Sequence, residues 1–310
     1  MSLGIPYMGS KRKIAPEILK IITSRHSNIS DFYDLFGGGG SVSFNAVKDY
    51  RFNVHYNELN SHIYHLVNYL RDNKHLDPKF FEWVTREVFN EQINRLDADW
   101  YSGFIMTCWS FGNNSEKGYM YGKDIENIKR LGHEIVVNRS CNAMDELGIY
   151  IPELFNIRSV NTRRLVFCNY IKKQKTILED NRVQNLELVE HLTRIQNLQN
   201  LQNLQNLQNL QTSNLSYENV VISGDNPIIY CDKPYESTAK YKENDFNHKR
   251  FYEWSMDINY PVYISEYNTP FEAIEGFNFR SSLSATNNKK KTVEKIFWNG
   301  KGEINQTKLF

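Results

Sequence analysis

Four consecutive glycines, Gly37 to Gly40, constrain the fold of this chain more than any other feature. They follow a short aromatic run, Phe32 to Phe36, that reads as a strand, and after Ser41 the residues Val42, Phe44, Ala46 and Val47 resume a helix-like pattern. Strand, tight glycine turn and helix in that order open an α/β layer. Upstream, Ile14, Ala15, Ile18, Leu19 and Ile22 recur at helical spacing, which predicts an amphipathic helix from Lys13 to about Ser24. A second strand is expected over Phe52 to Tyr56, ending on Asn57 and Glu58.

From residue 61 to 214 the pattern changes to longer, mostly helical segments, broken by the loop Phe111 to Gly122. The α/β pattern then returns. Pro227 to Cys231 is an apolar strand running directly into Asp232, Lys233, Pro234 and Tyr235, and further strands are expected over Pro261 to Tyr267 and Val293 to Trp298. The chain therefore reads as one Rossmann-like domain, residues 1–60 and 215–310, with a mostly helical lobe, residues 61–214, inserted into it. The lobe ends in a Leu-Gln-Asn repeat over residues 195–211, with Leu198, Leu201, Leu204, Leu207 and Leu210 in register. Three residues advance an α-helix by about 300°, so these leucines drift about 60° per repeat and hold no single face. A coiled coil would alternate spacings of three and four. The expectation is a frayed helical extension or a repeat tolerated on the surface.

At 310 residues, 40% hydrophobic and 24% charged, the chain is a folded protein rather than a disordered one. A net charge of +1 excludes a globally basic nucleic-acid coat, so any nucleic-acid surface must be local. The clearest basic stretch, Leu154 to Leu178, holds Arg158, Arg163, Arg164, Lys172, Lys173 and Lys175 and no acid. Four cysteines without a CxxC pair argue against a zinc ribbon or disulfide framework and fit a reducing cytoplasm. No apolar run reaches the roughly 18 to 20 residues of a membrane span, and no secretory leader is expected. The eight histidines do not cluster along the chain, so no metal site is expected, and the Lys289 to Lys291 run reads as a solvated loop.

The glycine turn does not match the dinucleotide fingerprint GxGxxG, because Val42 and Ser43 stand where its last glycine would fall, and no GxxxxGK[ST] loop exists. A nicotinamide oxidoreductase is thereby disfavoured. A nucleoside-type ligand without a pyrophosphate remains, S-adenosylmethionine being the commonest on this topology, with Glu58 placed to accept from ribose hydroxyls. Asp232-Lys233-Pro234-Tyr235 ends an apolar strand, where open α/β sheets place their ligand crevice. A carboxylate, a main-chain carbonyl in a stiff turn and an aromatic face form a receptor for an exocyclic amino group on a planar base.

Gly9-Ser10-Lys11, Asp34-Leu35-Phe36 with its four glycines, Asn57-Glu58-Leu59-Asn60 and Tyr230-Cys231-Asp232-Lys233-Pro234-Tyr235 occur in the order of the Dam-type DNA adenine methyltransferases, which this sequence resembles. The resemblance implies a methyl transfer from S-adenosylmethionine to N6 of adenine in double-stranded DNA. It implies that Tyr7, Gly9 and Lys11 line the methionine end of the cofactor and that Asp34, Phe36 and Gly38 wall its pocket. Glu58, where the family usually has Asp, would hold the ribose. Ser216 and Tyr217 stand where the family commonly has Asp and an aromatic residue near the cofactor adenine. Asp232 and the carbonyl of Lys233 would accept the two amino hydrogens of an extruded base, with Pro234 stiffening the turn and Tyr235 stacking on the ring.

The chief departure from the family is Lys233, which replaces the first proline of Asp-Pro-Pro-Tyr. A lysine ammonium close to the sulfonium, or paired with Asp232, would leave a silenced DNA-binding protein of the same fold. Cytosine N4 or an adenine in RNA could use the same acceptor chemistry. The basic run offers Arg158, Arg163, Arg164, Lys172, Lys173 and Lys175 to phosphates. Asn113 and Asn114 could read adenine edges, with Lys117 beside them and Tyr119 filling the gap left by a flipped base. The implied role is a solitary modifier or the partner of a separate restriction endonuclease, in genome defence or phage self-protection.

Overall fold

Asp31 to Asp34 form a strand that is buried from end to end, as a central strand covered on both faces must be. In the computed structural model, which describes residues 3–114, 117–175, 189–235, 246–279 and 292–302, this strand, β1, follows helix α1 (Ala15–Arg25) and precedes α2 (Ser41–Asp49). β2 (Asn53–Asn57) leads into α3 (Ser61–Asp72), and α4 (Arg86–Ile93), α5 (Trp100–Cys108), α6 (Lys123–His133), α7 (Cys141–Leu147), α8 (Val160–Lys175) and α9 (Glu190–Gln202) follow. The chain then returns to strands: β3 (Gln211–Ser213), β4 (Pro227–Cys231), helix α10 (His248–Asp257), β5 (Val262–Glu266), β6 (Glu272–Phe279) and β7 (Thr292–Trp298).

The strands make one sheet of order β3-β2-β1-β4-β5-β7-β6. The first five are parallel, and β7 runs antiparallel to both β5 and β6. This is a Rossmann-like α/β architecture. The molecule divides into two units, one of Met1–Gly4, Gly9–Tyr64 and Leu204–Phe310, the other of Ile5–Met8 and His65–Asn203. The first holds the whole sheet, and the second is mostly helical.

Two strands go beyond the sequence expectation. β3 has no apolar residue and exists because its backbone pairs with β2, His55 opposite Gln211 through Asn57 opposite Ser213. β6 is an edge strand that carries two glutamates and a register shift between Ala273 and Glu275, features that protect an edge and erase the alternating signal.

The Leu-Gln-Asn repeat is not a frayed surface extension. Leu198, Leu201, Leu207 and Leu210 are buried, while Leu204 is half-buried. A single helix could not bury them all given the drift of about 60° per repeat, so the chain changes conformation partway. α9 ends at Gln202, Asn206 takes a left-handed φ of 65°, and a short 3-10 helix over Leu207–Asn209 delivers Leu210 to β3.

Two histidines far apart in the sequence meet in the second unit. There His191 bonds through one ring nitrogen to the Tyr121 hydroxyl and through the other to His133 Nδ1, each at 2.8 Å. Burial lowers the pKa of both, that of His133 to about 4. Trp109 stacks on His191 with centroids 4.2 Å apart. These are core histidines. Among the described residues no helix is long and apolar enough to cross a membrane, and no group of three or more potential ligands is arranged to hold a metal.

Candidate active site

The register of the sheet brings three acids to the carboxyl ends of three adjacent strands. Asp34 at the end of β1 stands opposite Tyr56 of β2 and Tyr230 of β4. Glu58 and Asp232 each follow two residues beyond that level, on the strands flanking β1. Open parallel sheets bind ligands at these carboxyl ends.

The glycine turn fits closely around them. A Cβ on Gly37 would run into the Tyr56 ring, and Gly40, with φ of 68°, both suits a left-handed turn and lies against the Phe44 ring. Gly37 N–H donates to the Asn57 carbonyl, and the Tyr56 hydroxyl donates to the Gly38 carbonyl at 2.7 Å. Gly38 N–H donates to Glu58 Oε2 at 2.7 Å, while Asn60 N–H donates to Oε1 at 2.8 Å. Burial pushes the Glu58 carboxyl up, and the N–H donors of Asn60 and Gly38 oppose that shift.

Asp34 is fully enclosed. Ser43 donates to its Oδ2 at 2.7 Å, whereas Oδ1 is buried without a hydrogen-bond partner among the described residues. Burial first, and then the charges of Asp232 and Glu58, push its carboxyl up to about 7, against the pull of the Ser43 bonds. A buried acceptor left unmatched fits a ligand that brings a donor or a positive charge. Phe36 and Tyr217 stand together with ring centroids 5.4 Å apart, and Phe246 and Phe251 complete the aromatic group. Ser216 caps the short 3-10 helix that begins at Tyr217.

Asp232 meets Lys11, not Lys233. Lys11 Nζ lies 2.9 Å from Asp232 Oδ1 and 3.2 Å from Glu294 Oε1. It also donates to the Gly9 carbonyl at 3.3 Å, where Gly9 adopts a positive φ of 74°. Glu294, on β7, accepts the Tyr235 hydroxyl at 2.9 Å, and the Lys11 ammonium sits over the Tyr235 ring at 4.9 Å. The Glu294 carboxyl is pushed up by burial, with Lys11 opposing and Asp232 adding to the shift. Lys233 turns its side chain away from Asp232 into the interior, where its ammonium lies 2.7 Å from Glu266 Oε2. The alternative in which Lys233 pairs with Asp232 is not the arrangement seen.

Tyr7 groups with the second unit, apart from the other expected cofactor residues. In that second unit Arg158, Lys172, Lys173 and Lys117 are exposed and Arg164 is half-buried. Two residues expected at DNA are used internally instead. Arg163 holds the carbonyls of Val136, Val137, Ile157 and Arg158, which anchors α8 to the preceding segments. Tyr119 is buried, donates to the Val84 carbonyl at 2.7 Å and lies beneath the Arg86 guanidinium. Asn113 takes a left-handed φ of 59°, and the Asn114 amide donates to Met8 Sδ. The side chain of Lys175 and the Lys289 to Lys291 run lie outside the described residues.

Glu266 and Glu294 were not singled out from sequence. Glu266 carries the same signature as Asp34 and Asp232, an acid ending a buried strand, and Glu294 is an acid inside a strand of mixed polarity.

A Rossmann-like sheet with a tight glycine turn and acids at the carboxyl ends of neighbouring strands is the setting in which α/β enzymes hold their ligands. Residues 7–294 match the D12 class N6 adenine-specific DNA methyltransferase family, and the chain belongs to that family. It is an adenine-specific DNA methyltransferase, and its substrates are DNA and a methyl donor. No curated protein matches the chain.

Proposed function

We propose that the donor is S-adenosylmethionine and that the enzyme methylates adenine within a short sequence of double-stranded DNA. The observation that carries this reading is the gathering of Asp34, Glu58 and Asp232 at the carboxyl ends of three adjacent strands. Bound there, S-adenosylmethionine would supply an electrophilic methyl group on a sulfonium. Glu58, its carboxylate oriented by the N–H groups of Gly38 and Asn60, accepts from the ribose hydroxyls. Phe36 and Tyr217, with Ser216 beside them, flank the donor's adenine. Asp34 offers its unmatched Oδ1, and Gly9 and Lys11 line the methionine end.

Adenine N6 is a poor nucleophile while its lone pair is delocalised into the ring. Lys11 engages Asp232 Oδ1, so Asp232 Oδ2 and the Lys233 carbonyl accept the two N6 hydrogens and localise that lone pair. Pro234 restricts the backbone at Lys233, and Tyr235 stacks on the extruded base. Positioning supplies much of the rate. Exposed Arg158, Lys172 and Lys173 contact phosphates, helped by Arg164, while Asn113, Asn114 and Lys117 face base edges. The free cysteines Cys108, Cys141, Cys168 and Cys231 suit the cytoplasm, where the enzyme acts alone or beside a separate restriction endonuclease.

Titration calorimetry with S-adenosylmethionine tests the donor assignment. Wild type binds, and Glu58→Ala weakens binding by about tenfold, the cost of one lost charged hydrogen-bonding group. Binding unaffected by Glu58→Ala would place the ribose elsewhere.

A further inference from the structure

Lys233 replaces a proline in the tetrapeptide that carries the acceptor groups, and the structure gives its side chain a defined destination. That side chain is 0% exposed. Its ammonium lies 2.7 Å from Glu266 Oε2, 3.2 Å from His248 Nδ1 and 3.4 Å from the Pro234 carbonyl. The rings of Phe246, Phe251 and Tyr252 surround it, with centroids at 5.9, 5.8 and 5.3 Å.

Glu266 ends β5 and is itself 2% exposed at its side chain. Its second oxygen, Oε1, accepts from Tyr267 N–H at 2.8 Å, and the Tyr267 ring meets the Tyr235 ring edge-on at 4.9 Å. Both Lys233 and Tyr235 are thereby referenced to the end of β5 through one carboxylate. β5 pairs directly with β4, Cys231 opposite Ile264, so the link crosses between neighbouring strands just past their register.

A proline at position 233 would limit that residue by its ring, which fixes φ near −65°. Lysine lacks the ring. Buried ion pairs seldom gain stability over well-packed apolar residues, and their best-attested use is to select one arrangement among several. We propose that the Lys233–Glu266 pair is a tether that replaces the proline ring and fixes the direction of the Lys233 carbonyl toward the target amino group. The side chains of Lys233 and Glu266 are then positioning residues, and their role rests on the assignment of that carbonyl as an acceptor.

The experiment compares kcat on DNA, KM, the Kd for S-adenosylmethionine and the unfolding midpoint across four proteins. These are wild type, Glu266→Met, Lys233→Met with Glu266→Met, and Lys233→Pro with Glu266→Met. Removing both charges with apolar isosteres restores packing without direction, so that double variant unfolds near the wild-type midpoint. Its kcat falls about tenfold while its cofactor Kd stays within about twofold, the pattern of an interaction used only at the reacting geometry. Glu266→Met alone leaves the lysine ammonium buried without its acid and loses both midpoint and kcat. The ring in Lys233→Pro with Glu266→Met restores kcat to within roughly threefold of wild type. A Lys233→Met, Glu266→Met variant with wild-type kcat would overturn the tether, as would a proline variant no faster than that one. A wild-type enzyme that transfers no methyl group would instead overturn the acceptor assignment on which the tether rests.

Discussion

Lys11 places one buried ammonium between two carboxylates, 2.9 Å from Asp232 and 3.2 Å from Glu294. Burial works against its charge, but the attraction of Asp232 and Glu294 outweighs burial, and its pKa rises. Lys11→Met leaves the two acids without their shared cation. Loss of one partner of such a buried pair costs about 3–5 kcal/mol, measurable by urea unfolding, and methyl transfer should fall about a hundredfold in single turnover. The stability Lys11 contributes is fully present below its unfolded pKa, near 10.5, and is lost as pH rises through the higher folded value. Wild type and Lys11→Met should therefore converge at strongly alkaline pH.

Asp34 shares the direction of the pH effect with Lys11, but here burial prevails and disfavours the charged form. Its folded carboxyl sits at about 7 against 3.8 for the unfolded group, so the folded state binds more protons between those values and stability falls as pH rises across them. Asp34→Asn removes that loss and should exceed wild type in stability at pH 8 by up to roughly 4 kcal/mol, with little difference below the unfolded value. A cationic donor binding near Asp34 favours its ionised form. Calorimetry in two buffers should show proton release on S-adenosylmethionine binding near neutral pH, absent in Asp34→Asn.

Alanine at the buried leucines of the repeat separates a core element from a passive tract. Leu198→Ala and Leu201→Ala should each cost about 2–5 kcal/mol, and Leu204→Ala, half-buried, clearly less. Losses within the noise of unfolding curves for all three would mean that the tract is a surface ornament.

The basic residues on and just before α8 have two opposite fates. Arg163→Met strips four carbonyls of their donor and should destabilise the second unit without altering the salt dependence of DNA binding. Arg158→Ala with Lys172→Ala should leave folding intact and flatten the slope of log K against log salt by about 0.9 for each phosphate that is no longer neutralised.

Much of this was legible in the sequence because buried parallel strands announce themselves. Pro227–Cys231 is apolar throughout and ends on Asp232, and the glycine run after β1 admits few conformations. β3 was not legible because three polar residues, Gln211 to Ser213, carry no signal of their own and gain one only from β2. The fate of Lys233 was hidden for a related reason, since Glu266 lies 33 residues away and arrives only because β5 packs beside β4. His133 and His191 meet across 58 residues through helix packing. Arg163 and Lys172 look alike in a charge run, and only the packing of α8 tells the inward guanidinium from the outward ammonium.

In the proposed mechanism Asp232, held by Lys11, activates the amino group of adenine in DNA. Incubation of wild type and Asp232→Ala with labelled S-adenosylmethionine and unmethylated duplex DNA, followed by mass spectrometry of the digested nucleosides, tests it directly. N6-methyladenine from wild type, at least about a hundredfold less from Asp232→Ala, and unchanged cofactor binding by the variant are the expected results. Equal transfer by both proteins, or N4-methylcytosine in place of N6-methyladenine, would contradict it.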